Sequence, residues 1–239
     1  MPASISSEKF LAKLRYVAVF LFVFGIIYYA SFFLKDYFQI KNIEVTGSEK
    51  SLLGLKEIQG KNMFFISEKE TRKIIKEKNP SVKEILFERK YPSTLVFRIT
   101  LYKPVAELAV MNGFYDLAET GKIIYKSRKE NSKLPRMNFY QKFNYQSYRL
   151  GDTMTFREIT DGLYFLKSFA DLNIKVDSLD ISGINMLVFN LENKKIIFDS
   201  VKEKELQVFQ MQEITRRFKV EGKQYKEIDL RYDKPIIRF

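Results

Sequence analysis

Nineteen consecutive residues without a charge, Tyr16 to Leu34 (YVAVFLFVFGIIYYASFFL), lie between Arg15 and Lys35 and constrain this chain more than any other segment. As an α-helix the run spans about 28 Å at 1.5 Å per residue, which matches the hydrocarbon core of a bilayer. Twelve of its residues are Val, Leu, Ile or Phe. Each favours insertion by about 0.3 to 0.6 kcal/mol, for on the order of 4 to 7 kcal/mol together. A soluble helix of this length would carry a polar face, and this one has none. A cleavable signal needs small residues three before and one before the cut, and around Ala30 and Ser31 the first of these places falls on Tyr28 and Tyr29. The run therefore reads as an uncleaved anchor, with Tyr16, Phe20, Phe24, Tyr28, Tyr29 and Leu34 as its lipid and interfacial contacts. Lys9, Lys13 and Arg15 against Glu8 place residues 1–15 in the cytoplasm as a short tail. Residues 16–34 then cross the cytoplasmic (inner) membrane once, and everything after Leu34 lies outside.

The chain contains no Cys and no His, in the anchor or beyond it. Thiol nucleophiles, disulfides, Ser-His or Cys-His pairs and zinc or haem sites of the usual nitrogen and sulfur type are thereby excluded. Catalysis would have to run on carboxylates, Lys, Ser or Tyr, so a binding protein without cofactor or metal is the starting expectation. With 22 Phe and 14 Tyr in the chain, the exported part has ample apolar surface for packed cores, and its length suits one or two folded units.

The first of these opens on an alternating stretch, Tyr37 to Gly47, that reads as a strand. A short apolar stretch, Leu52 to Ile58, reads as a first helix. Ser67-Glu-Lys-Glu70 is a capping box that starts a second, running to about Lys78, with Thr71, Ile74, Ile75 and the Lys78 stem on its inner stripe and Asn79-Pro80 as its stop. Val82 to Arg89 and Leu95 to Tyr102 form a hairpin around Pro92. In its second strand Leu95, Phe97, Ile99 and Leu101 share one face, and Val96, Arg98, Thr100 and Tyr102 the other.

After Ala106, Gly113 to Ile124 reads as a hairpin turning at Glu119-Thr-Gly121. Two more capping boxes, Thr155-x-x-Glu158 and Ser200-x-x-Glu203, predict helices. The first has its stripe at Phe156, Ile159, Leu163, Leu166 and Phe169, with Gly162 costing it about 1 kcal/mol. The second has Val201, Val208, Met211, Ile214 and Phe218. Strands are predicted over Val176 to Ile181, Met186 to Leu191 and Lys195 to Phe198. Ile236, Ile237 and Phe239 make a further strand, and Pro235, which lacks an amide hydrogen, confines it to a sheet edge. An apolar edge of this kind can template a strand from another chain.

The order of FQIKNIEVTG, Gly60-Lys-Asn-Met-Phe64, Asn79-Pro-Ser-Val82, Glu88-Arg-Lys-Tyr-Pro-Ser-Thr-Leu95 and Lys103-Pro-Val-Ala106 behind a single anchor resembles the POTRA domain of the FtsQ/DivIB cell-division family. The segments Gly113 to Ile124, Lys133-Leu-Pro135 and Ile228-Asp-Leu-Arg-Tyr-Asp233 extend the similarity over nearly the whole chain. Leu101 departs from it where an acid is usual, and Phe198-Asp199 where a glycine is common. The resemblance implies an α+β protein: a transmembrane helix, a POTRA domain (β-α-α-β-β) over 37–106, and a second mixed α+β domain over 107–239 ending in an edge strand. It also implies a non-catalytic divisome scaffold at the division septum that recruits FtsB/DivIC- and FtsL-type partners and helps regulate septal peptidoglycan synthesis. The partner would dock on Arg231, Tyr232, Ile236, Ile237, Arg238 and Phe239.

Two other chemistries are open to these residues. Lys122 to Arg149 interleaves eight cations with six aromatics. In a cytoplasmic protein that pattern would suggest single-stranded nucleic acid. Outside the membrane it suggests an anionic cell-wall polymer, a lipid headgroup or an acidic protein surface, or simply a solvated basic loop. Asp177, Asp180, Asp199 and Asp229 could be imagined as the carboxylates of an anchored cell-wall hydrolase, but they lack metal-loop spacing and read as turn and strand-edge residues.

Overall fold

The computed structural model describes residues 5–47 and 52–239. The first four residues of the tail lie outside the described residues. The remainder of the tail is already helical, because helix α1 runs over Ile5–Tyr37. Its portion Arg15–Tyr37 has a mean hydropathy of 2.4 and is the one helix among the described residues long and apolar enough to cross a membrane. Tyr16, Phe20, Phe24, Tyr28, Tyr29 and Leu34 are all exposed on it.

The chain divides into two compact units, Met1–Asn79 with Glu84–Thr100, and Pro80–Lys83 with Leu101–Phe239. In the first, α1 continues through Tyr37, so strand β1 begins only at Asn42 and ends at Thr46. The stretch expected as a first helix forms a single 3-10 turn, Leu55–Glu57. Helix α2, Glu68–Lys78, starts as the sequence predicts: the Ser67 hydroxyl accepts the Glu70 amide. It ends at Asn79, whose side-chain amide donates to the Ile75 carbonyl at 2.7 Å and to the Leu53 carbonyl at 3.0 Å. Strands β2, Val82–Lys90, and β3, Thr94–Leu101, complete a three-stranded sheet in the order β1-β3-β2, with β1 parallel to β3. Val96 is as buried as Leu95 and Phe97, although the alternation assigned it to the outer face, where Arg98 and Thr100 are exposed.

The second unit is a nine-stranded sheet with two helices. Its strands are β4 (Pro104–Val110), β5 (Gly113–Ala118), β6 (Ile123–Ser127), β7 (Arg136–Phe139), β8 (Ser178–Gly183), β9 (Met186–Leu191), β10 (Lys194–Phe198), β11 (Glu227–Asp229) and β12 (Ile236–Arg238). They lie in the order β12-β11-β10-β9-β8-β7-β4-β5-β6. Helix α3, Arg157–Asp171, seats Ile159, Leu163, Phe165, Leu166 and Phe169 in the core. Gly162 brings α3 close to the sheet: a Cβ there would stand 2.5 Å from Leu179 Cδ2.

Neither of the two later capping boxes forms. At α3 the cap residue is Phe156, and Glu158 turns towards the Tyr140 hydroxyl (3.5 Å) instead of back to Thr155. At α4, Lys204–Glu221, the Ser200 hydroxyl donates to the Ile184 carbonyl. The approach to α4 is tied by Gln207, which accepts the Asp199 amide and donates to the Asp199 carbonyl, both at 2.8 Å. Within the predicted α4 stripe only Met211 is fully buried, and Val201 is exposed.

A candidate interaction edge on the large sheet

Ile228 and Leu230, both fully buried, anchor β11 against β10, and the Leu230 amide donates to the Ile197 carbonyl at 2.9 Å. Pro235 then precedes β12, which returns antiparallel to β11 with Ile228 opposite Ile237 and Asp229 opposite Ile236. β12 is an outermost strand of the sheet, as a strand headed by proline must be. Ile237 packs against the core, while Ile236, Arg238 and Phe239 are exposed.

The six residues singled out from the sequence fall together here, but they are not equivalent. Arg231 is committed inward: its Nη2 and Nε donate to the Asp229 carboxylate at 2.7 and 3.0 Å, and its backbone amide donates to the same group at 3.1 Å. Asp229 is 4% exposed. Burial alone would raise its pKa, but the hydrogen bonds from Arg231 hold it below the ordinary aspartate value. Arg238 pairs with Glu227 at 3.2 Å, and Glu227 also takes Lys195 at 2.8 Å. Tyr232, Ile236 and Phe239 are what the edge offers outward, at 51%, 42% and 68% exposure. The turn carrying Tyr232 is held by Lys202 on Asp233 at 2.9 Å, and Phe239 leans on Phe218 with ring centres 5.9 Å apart.

The other aspartates singled out are held separately. Asp177 accepts the Glu192 amide at 2.6 Å, Asp180 accepts the side-chain amides of Asn138 and Asn190 at 2.6 Å each, and Asp199 accepts the Val201 amide at 2.7 Å. Among the described residues no three Asp, Glu, His or Cys side chains gather in a way that could hold a metal.

The basic and aromatic stretch is turned on itself at Lys126 and Arg128, while Lys129, Lys133, Lys142 and Arg149 are exposed. Lys126 donates to the carbonyls of Tyr145 and Tyr148, at 2.6 Å each, and sits 4.4 Å from the Tyr145 ring centre. Arg128 covers the other reach of that ring at 3.9 Å, and Arg136 pairs with Glu130 at 3.6 Å. Phe139, Phe143 and Phe156 pack together with ring centres 5.3 to 5.6 Å apart. Part of the interleaving seen in the sequence is thus internal, with Lys126 and Arg128 lying on Tyr145.

Sequence reasoning passed over one chemically distinctive pair. Glu107 in β4 faces Asp116 in β5 across the ladder. Glu107 is fully buried, receives only the Asn131 amide at 2.8 Å, and leaves Oε2 without a partner. Burial pushes its pKa up, opposed by the Asn131 amide and reinforced by the charges of Asp116 and Glu130. Asp116 is likewise raised by burial. The signal was there as single acids inside apolar strands, AELAV and FYDLA.

Set against known protein families and curated proteins, the chain matches no family model and no curated protein. Its class rests on its own architecture: a mixed α+β protein with one amino-terminal helix long and apolar enough to cross a membrane, and an open edge on a large sheet.

Proposed function

We propose that this is a non-catalytic, single-pass cell-division scaffold of the FtsQ/DivIB type. In this reading its tail is in the cytoplasm, its POTRA domain and sheet domain are outside, and its last strand recruits an FtsB/DivIC-type partner with FtsL to the septum. The observation that carries the reading is β12, an apolar edge strand directly after the Ile228 to Asp233 run that resembles the family. Main-chain pairing along this edge would supply affinity, and Tyr232, Ile236 and Phe239 selectivity. The first unit supports the reading as an α+β unit, with strand, 3-10 turn, helix, strand and strand in the sheet order β1-β3-β2. Arg231 enters as the residue that shapes the turn presenting Tyr232, through its clamp on Asp229.

The test is co-purification of the full chain from membranes with FtsB/DivIC- and FtsL-type proteins of the same cell, comparing wild type, Tyr232→Ala and a truncation after Asp233. The truncation is expected to abolish the complex and Tyr232→Ala to weaken it at least about tenfold, as central aromatic residues of interfaces do. Undiminished capture by the truncated chain would remove β12 from the interface.

A further inference from the structure

The first unit carries a second exposed feature that its core does not explain. Tyr37, Phe64 and Tyr91 are 51%, 56% and 55% exposed and gather around Phe38, and Phe65, next in the chain to Phe64, is 89% exposed. Phe38 is the hub of this patch, with ring centres 5.1 Å from Tyr37, 4.7 Å from Phe64 and 6.2 Å from Tyr91, and Phe64 stacks on Tyr91 at 5.4 Å. Clustered exposed aromatics mark a surface that meets something less polar than water.

The backbone fixes where this patch stands. The Phe38 amide still donates to the Leu34 carbonyl at 3.1 Å, so the hub lies one helical turn beyond the last apolar residue of the membrane-span candidate. Asn62 fastens the loop bearing Phe64 and Phe65 to the end of α1. Its side-chain amide donates to the Lys35 carbonyl at 3.4 Å, and its side-chain oxygen accepts the Phe64 amide at 2.9 Å. The Met63 amide closes on the Phe38 carbonyl at 2.8 Å. Lys35 and Lys61, both exposed, flank the aromatics.

The geometry points to the bilayer interface itself as the occupant. Aromatic rings concentrate at headgroup depth because one end is apolar and the other tolerates water, and flanking lysines favour lipid phosphates. A helix that leaves the membrane at Leu34 puts Tyr37 about 4.5 Å and the Phe38 hub about 6 Å beyond that level along its axis, and the rings of Phe64 and Tyr91 adjoin the hub. The first unit is therefore seated on the membrane by a built aromatic face, not merely tethered beside it. This inference rests on α1 spanning the bilayer.

The chain has no Trp, so a single introduced tryptophan reports its own surroundings. Phe65→Trp, Phe24→Trp and, as an exposed site in the second unit, Ile184→Trp are each placed in the full chain in nanodiscs, with circular dichroism to confirm folding. Emission is quenched either by acrylamide in the water or by lipids brominated at graded depths. The Phe24→Trp variant should be quenched by deep bromines, which tests the span separately. The Phe65→Trp variant should be quenched by bromines near the headgroups and should be at least about threefold less sensitive to acrylamide than the Ile184→Trp variant, as expected of interfacial rings. Deep quenching at position 24 with water-like behaviour at 65 overturns the seating alone. Protection at 65 from both quenchers assigns the patch to a protein partner and also overturns it. Absence of deep quenching at 24 removes the span and, with it, the basis of both readings.

Discussion

The nine-stranded sheet buries acids in two places and treats them in opposite ways. At β11, Asp229 is enclosed together with a guanidinium that meets it through two nitrogens, and its pKa falls. At β4 and β5, Glu107 and Asp116 are enclosed together with each other, and both pKa values rise. Burial pushes all three carboxyls upward; at Asp229 the hydrogen bonds from Arg231 outweigh it, whereas at Glu107 and Asp116 the hydrogen bonds from Asn131 do not. Asp229 is stabilising in its charged form. Its contribution is present above the unfolded aspartate pKa and is lost as pH falls through the lowered folded value. Glu107 and Asp116 are tolerated in their neutral form. Their contribution is complete below the unfolded carboxylate pKa and is lost as pH rises through the raised folded values.

The contrast breaks most sharply at Arg231. Arg231→Ala leaves a buried charge unpaired, and with the arginine itself one-third exposed the expected loss is about 2 to 3 kcal/mol at pH 7. Urea titrations at successive pH values should show that deficit shrink as Asp229 is protonated. Glu107→Gln tests the opposite site. An amide keeps an acceptor for the Asn131 amide and adds a donor for Asp116, so the chain should gain about 1 to 2 kcal/mol at pH 7. The gain should fade towards pH 4; a loss at pH 7 would mean that the unpaired Oε2 is not a cost. Arg231→Lys keeps the charge and loses the two-pronged geometry, and is expected to cost about 1 kcal/mol. Smallest is the coupling in a cycle of Glu107→Gln with Asp116→Asn, on the order of 0.5 kcal/mol. A coupling of zero would show that the two acids do not sense each other.

What could be read from the sequence divides along a physical line. Features fixed by local covalent geometry were legible: Pro235 at a sheet edge, Ser67 capping α2, and the apolar run of α1. Features decided by a competing partner far along the chain were not. The Ser200 hydroxyl had the right spacing for a cap but found the Ile184 carbonyl, and Glu158 found Tyr140. Val96 looked outward because alternation assigns a face and not how much of that face the fold covers. Gly162 looked like a weakness in α3, and only the 2.5 Å approach to Leu179 explains why a side chain is excluded. At the candidate edge the position of the strand was legible, whereas the inward commitment of Arg231 and the pairing of the exposed Arg238 with Glu227 were not, since they depend on which acids the fold brings beside them.

Strand β7 sets the order in which the large sheet can assemble. It has four residues and pairs in parallel on both sides, with β4 across Glu107 and Arg136 and with β8 across Arg136 and Ser178. On either side of it lie two meanders, β4-β5-β6 and β8-β9-β10, that close through short turns. Local hairpins form in about 1 to 10 μs, while pairings that close long loops come later. Each meander can thus form before β7 knits them together, and among strands β4 to β10 the amides of β7 should be the last to gain protection in pulsed hydrogen exchange.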